Sequence, residues 1–156
     1  MTVIENVQMT LLSYNRRTKS LLKKVSQHYV AESMELLNLV GIADQAERPC
    51  GVLAYGDLKR VELAVALANQ PKLLLMDEPT AGMGPTERQE LMKLTQSIVR
   101  NRKIGVLFTE HDMKVVFNHA ERIIVLNRGE MIFEGTPEEV QKNSDVQEIY
   151  FGNTIP

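Results

Sequence analysis

At 156 residues, 44% hydrophobic and 24% charged, the chain has the composition of one compact globular domain with a core of its own. A formal net charge of −2 leaves no basic excess for nucleic acid or anionic lipid, and a single cysteine, Cys50, excludes an internal disulfide. One thiol fits a reducing, cytoplasmic location, and no apolar run is long enough for a bilayer-spanning helix. The start, Met1-Thr2-Val3-Ile4-Glu5-Asn6, lacks the basic flank and apolar stretch of a signal peptide. Work at a membrane therefore implies a partner that supplies the membrane part.

The first half reads as helical. Residues 6–22 carry Val7, Leu11, Leu12, Leu21 and Leu22 among polar neighbours, an irregular helical pattern. Over 28–40, Val30, Met34, Leu37 and Val40 recur at three- and four-residue steps, and Gly41 is a natural stop. A loop with Pro49 and Gly51 follows. Residues 57–69 are rich in helix-favouring Ala, Leu, Glu, Lys and Arg, closed by Pro71. Leu73-Leu74-Leu75-Met76 predicts a strand buried on both faces, 86–100 a helix, and 104–108 a second buried strand. A short helix over 112–119 and a third strand over 122–126 come next. Asn127-Arg128-Gly129-Glu130 turns tightly into Met131-Ile132-Phe133 as a hairpin. Thr136-Pro137-Glu138-Glu139 is an N-cap, a first-turn proline and a capping-box acid opening another helix. The pattern predicts a helical piece over 1–52, then, over 53–156, a parallel α/β sheet with flanking helices and a C-terminal hairpin.

Three features carry chemistry. Asp77 and Glu78 end the first strand, where an open parallel sheet places its ligand crevice, and adjacent acids there favour a nearby cation. Chance surface acids are the ordinary alternative. His111 follows the second strand by two residues, and a neutral imidazole there can donate to a phosphate oxygen. A hydrogen-bonded loop histidine is the ordinary reading of one such residue. In Leu53-Ala54-Tyr55-Gly56-Asp57, a glycine at a helix start lets backbone N–H groups approach an anion. Asp57 as a plain N-cap is the competing reading.

Together and in this order, these features resemble the ATPase domains of the ABC transporter family. Leu53, Ala54, Tyr55, Gly56 and Asp57 resemble its signature motif, and Leu73 to Glu78 its Walker B strand. The resemblance implies a P-loop NTPase, RecA-like core, with Asp77 holding Mg²⁺ through water and Glu78 and His111 acting catalytically. Ala81, Gly82, Met83 and Gly84 sit where the D-loop belongs. Glu110-His111-Asp112-Met113-Lys114, Glu134-Gly135-Thr136-Pro137 and the tail Glu148-Ile149-Tyr150-Phe151-Gly152 look like ATPase subunits of branched-chain amino-acid importers. The resemblance implies ATP and Mg²⁺ as cofactors, a second ATPase subunit and membrane permease subunits as partners, and a peripheral place on the inner membrane face. A chromosome-maintenance ATPase would need heptads beside the signature and a basic face, and neither is present.

The sequence departs from the family in one large respect. No Gly-x-x-x-x-Gly-Lys-Ser/Thr occurs, and the nearest lysine-hydroxyl pair, Lys19-Ser20, follows Thr18 rather than glycine. A truncated product is the expectation, unable to hold ATP alone and completing a site only on an intact partner. A non-catalytic module that binds a permease or an intact ATPase is the alternative. Ala54 stands where many members carry a serine hydroxyl, a loss of about 1 kcal/mol, and Gly84 replaces the usual D-loop acid. Uncovered strand edges predict self-association.

Overall fold

The computed structural model describes residues 1–14 and 29–151. Helix over 15–22, the Lys19-Ser20 pair, His28 and Gly152 lie outside that range. The chain divides into two compact units, Met1–Thr109 and Glu110–Pro156.

In the first unit, α1 (Val3–Tyr14) begins earlier than the apolar spacing suggests. Thr2 and Glu5 form a capping box there: the Thr2 N–H donates to Glu5 Oε2 at 2.8 Å and the Glu5 N–H to Thr2 Oγ1 at 3.3 Å. Helix α2 (Val30–Leu39) ends at Gly41, whose φ of +75° only glycine adopts without strain. The Gly41 and Ile42 N–H groups donate to Asn38 and Leu37 carbonyls at 3.1 and 3.0 Å, a Schellman closure with Ile42 buried beneath it. Helix α3 (Tyr55–Ala68) starts two residues before the expected position and is capped by Ala54, so Asp57 lies within its first turn and is not the N-cap.

These three helices bury one another. Val3, Val7 and Leu11 of α1, Leu36 and Leu37 of α2, and Val61, Ala64 and Leu67 of α3 form one cluster, joined by Leu74 and Ile98. Arg60 of α3 donates to the Val40 carbonyl at 2.9 Å, fixing α3 to the end of α2. Cys50 is half-buried, and Asn6 Nδ2 donates to its sulfur at 3.2 Å.

Strand β1 (Leu73–Asp77) and β2 (Gly105–Thr109) pair in parallel, Leu73 opposite Gly105 and Asp77 opposite Thr109. Helix α4 (Pro85–Arg102) connects them, with Pro85 in its first turn and Glu87 accepting from the Gly84 N–H at 3.1 Å. The expectation of two doubly buried strands does not hold. Leu74 is 4% exposed, whereas Leu73, Leu75 and Leu107 are 55%, 70% and 56% exposed. The helices of this unit cover the face that carries Leu74, and Leu73, Leu75 and Leu107 stand on the other.

The second unit is built on a hairpin. Strands β3 (Ile123–Asn127) and β4 (Glu130–Gly135) pair antiparallel, with Ile123 and Val125 turned into a small core. Arg128 and Gly129 take φ of +51° and +86°, the twist that a two-residue hairpin turn prefers. Among the described residues the third strand joins no parallel ladder and pairs only within this hairpin. Helix α5 (Met113–His119) precedes it; α6 (Pro137–Lys142) and α7 (Ser144–Phe151) follow, contributing buried Val140 and Val146. The expected box at Thr136 is present: its N–H donates to Glu139 Oε2 at 2.7 Å and its Oγ1 accepts from the Glu139 N–H at 3.3 Å. Those donors hold the Glu139 carboxyl below its usual range, the Thr136 backbone N–H foremost.

Candidate functional site

The parallel register sets the site. Because Asp77 and Thr109 stand opposite one another at the carboxyl ends of β1 and β2, the Thr109 hydroxyl reaches both acids. It donates to Asp77 Oδ1 at 2.5 Å and accepts from the Glu78 N–H at 3.1 Å, and the Thr109 carbonyl accepts from the same N–H at 3.1 Å. Glu78 takes a φ of +43°, left-handed backbone that a Cβ-bearing residue adopts at a cost of about 1–2 kcal/mol. The paired bonds to Thr109 hold that turn in place. Asp77 and Glu78 are both exposed.

The chain then folds back tightly. The Ala81 N–H donates to the Glu78 carbonyl at 3.1 Å and the Met83 N–H to the Thr80 carbonyl at 3.2 Å. Thr80 and Met83 are buried, and Arg88 Nε holds the Met83 carbonyl at 2.8 Å. Gly82 has a φ of +75° and faces the Tyr55 ring: a Cβ added there would lie 3.4 Å from Tyr55 Cε1. Gly56 meets the same loop, since its Cβ would lie 3.5 Å from Met83 Cε. The residues Tyr55 and Gly56 thus rest on Gly82 and Met83, so the α3 start and the loop after the acids form one packed junction.

Lys59 stands over the Tyr55 ring at 5.5 Å and pairs with Glu62 at 2.9 Å. The Glu62 hydrogen bond raises the Lys59 ammonium above its usual value against an opposing desolvation. Leu53 is half-buried, and Ala54 and Tyr55 are exposed at the mouth of the helix. A shallow cleft runs between α3, β1 and α4, lined by Leu63, Met76, Pro79 and Leu91 with Lys59 and Asp77 at its edges.

The sequence-derived residues fall into two sets. Asp77, Glu78, the loop Ala81, Gly82, Met83, Gly84 and the segment Leu53 to Asp57 belong to the first unit, where the contacts above join them. His111 belongs to the second unit, one residue ahead of Asp112, whose Oδ1 accepts from the Lys114 N–H at 2.9 Å and caps α5. Sequence reasoning missed Thr109. A hydroxyl residue at a strand end two positions before a candidate histidine was the available signal, but only the register shows that it faces Asp77.

No group of three or more acidic, histidine or cysteine side chains among the described residues forms a metal cage. A single carboxylate, Asp77, with one oxygen engaged by a hydroxyl, suits a hard cation that keeps most of its water and takes its remaining ligands from phosphate. The donor set fits Mg²⁺ on those terms.

Residues 1–81 match the ABC transporter family, and residues 130–154 match the branched-chain amino acid ATP-binding cassette transporter family. The chain is 38% identical over 162 residues to the high-affinity branched-chain amino acid transport ATP-binding protein LivG of Salmonella typhimurium, covering 97% of this chain and 62% of that protein. It is 36% identical over 130 residues to the corresponding BraF protein of Pseudomonas aeruginosa, covering 83% and 50%. A crystal structure of the ADP conformation of an ABC transporter's ATP-binding cassette superposes with a TM-score of 0.80 at 27% identity, covering 98% of this chain and 63% of that one. The chain spans about three-fifths of the length of the LivG relative.

Proposed function

The chain belongs to the ABC transporter ATP-binding family, with the P-loop NTPase fold, and from that premise we propose that it is part of the ATPase of an importer for branched-chain amino acids. The observation that carries the reading is the strand-end cluster, with Asp77 and Glu78 both bonded to Thr109 and continuous with the loop on which Tyr55 and Gly56 rest. The names of the relatives support the substrate class. Permease subunits would hold the assembly at the inner face of the membrane, since no described helix is long and apolar enough to cross one.

In a complete site Asp77 would hold Mg²⁺ through its water shell, and Glu78 would orient or polarise the attacking water. ATP with Mg²⁺, held in such a site, would draw the two ATPase subunits together, and hydrolysis of its terminal phosphoryl bond would let them part. Leu53 to Asp57 offer the amino-terminal end of α3, with the backbone N–H groups of its first turn, to a γ-phosphate held by a second subunit. His111 would donate to a γ-phosphate oxygen. Loop Ala81 to Gly84 lies between the two duties, because Tyr55 and the acids both abut it.

The alternative reading is an interaction module. In it the chain binds an intact ATPase or a permease without hydrolysing ATP. One experiment separates the two. The chain is added to an intact subunit of the family whose own signature glycine has been replaced. Recovery of ATP hydrolysis, abolished by Gly56→Asp in this chain, is the expected result. Complex formation without recovery selects the interaction reading. Calorimetric titration with Mg-ATP is expected to find no tight binding by the chain alone.

A further inference from the structure

Thr109 has one hydroxyl, and both of its capacities go to the acids that end β1. A hydroxyl carries one proton to donate and lone pairs to accept. The Glu78 N–H donates to Thr109 Oγ1 at 3.1 Å and occupies one of those lone pairs. The proton goes to Asp77 Oδ1 at 2.5 Å. Asp77 and Thr109 are partners in the parallel ladder, so their side chains leave the same face of the pair and meet without reaching. The Glu78 N–H also donates to the Thr109 carbonyl at 3.1 Å, so the residue grips the turn at two points and the carboxylate at a third. All of these atoms lie in one unit. A cation that approaches the Asp77 carboxylate therefore finds one oxygen, Oδ1, already taken.

How many oxygens a carboxylate can offer decides which cation it suits. Mg²⁺ demands a tight octahedral shell, keeps much of its water and takes a carboxylate by one oxygen. Ca²⁺ accepts a larger and looser shell and readily grips a carboxylate by both oxygens. Two-oxygen binding at Asp77 would break its bond to the Thr109 hydroxyl, and bonds to a charged acceptor are among the stronger kinds. One-oxygen binding through Oδ2, direct or through water, leaves that bond intact. We infer that Thr109 is a positioning residue that confines Asp77 to one-oxygen binding and so biases the strand end toward Mg²⁺ over Ca²⁺. The inference rests on the transport ATPase reading, in which Asp77 meets Mg²⁺, and adds the residue that sets which divalent cation is preferred there.

The test follows Mn²⁺ on the isotope-labelled chain by nuclear magnetic resonance, because its unpaired electrons broaden nearby amides even at low occupancy. Broadening centred on Asp77 and Glu78 is expected, and Asp77→Asn is expected to abolish it. Titrating Mg²⁺ and, separately, Ca²⁺ against the broadened signal gives the ratio of their affinities. Thr109→Val and Thr109→Ala remove the hydroxyl with and without a methyl in its place. Both are expected to move that ratio toward Ca²⁺ by about fivefold. Thr109→Ser, which restores the hydroxyl, is expected to keep the wild-type ratio. Lost stability would weaken both ions alike, so a change of ratio with rescue by serine is not a folding effect. A ratio that Val and Ala leave unchanged, or move toward Mg²⁺, overturns the inference while the magnesium role of Asp77 stands. So does a serine variant that behaves like Val. Wild-type broadening that never centres on Asp77 overturns the magnesium role itself and this inference with it, so the two failures are told apart.

Discussion

The helical cluster around Leu37 and the strand pair ending in Asp77 and Thr109 lie in one unit yet are built on opposite terms. In the cluster, α1, α2 and α3 bury large apolar side chains against one another, and the start of α1 and the end of α2 are closed by local hydrogen bonds. The strand pair buries one face, leaves three leucines in water and concentrates its hydrogen bonds at one end. Stability resides in the helices, and the groups able to do chemistry sit on the element with least cover. Site geometry here is set by register and a few polar contacts rather than by packing.

The largest expected effect tests the first half of that contrast. Leu37→Ala, at a position with no exposure, should lose about 2–5 kcal/mol in urea unfolding. Leu75→Ala, 70% exposed, should stay within about 0.5 kcal/mol in the same measurement. Equal losses would break the comparison. Next comes Gly82→Ala, expected to cost about 1–2 kcal/mol because its backbone is left-handed, while the added Cβ meets the Tyr55 ring only at contact distance. A Tyr55→Ala background should therefore leave that cost nearly unchanged, which a double-mutant cycle reads directly.

Thr109→Val should cost about 1 kcal/mol or less while speeding amide exchange at Glu78, with Thr109→Ser retaining the protection. A Glu78 amide unchanged by Val would mean that the carbonyl alone holds the turn. The smallest effect belongs to Glu139. Its carboxyl titrates lower folded than unfolded, so its contribution is present above the unfolded value, near 4.5, and fades as pH falls through the folded one. Glu139→Gln should therefore flatten the pH dependence of stability in that acidic window and leave neutral pH nearly unchanged.

Much of this was legible beforehand. The Thr136 capping box, the Asn127-Arg128-Gly129-Glu130 turn and the Gly41 stop are local, and local chemistry is written in consecutive residues. The positions of Asp77 and Glu78 at a strand end followed from an apolar run meeting acids. What escaped was set by pairing. Leu73 and Leu75 read as doubly buried because a continuous apolar run does not reveal which neighbours cover it. Thr109 was overlooked because its duty depends on standing opposite Asp77 across a ladder. Helix α3 began early because Tyr55 and Gly56 rest on Gly82 and Met83 of a loop far along the chain, a contact that helix propensity does not encode.

The backbone of Glu78 has a consequence for how such a chain would drift. A left-handed turn is where glycine or asparagine sits most comfortably, and an unconstrained lineage would be expected to settle on one of them. We propose that the duty of the Glu78 side chain in orienting water is what keeps a glutamate at this turn. Glycine in its place should make the protein sturdier and, if the acid serves hydrolysis, idle.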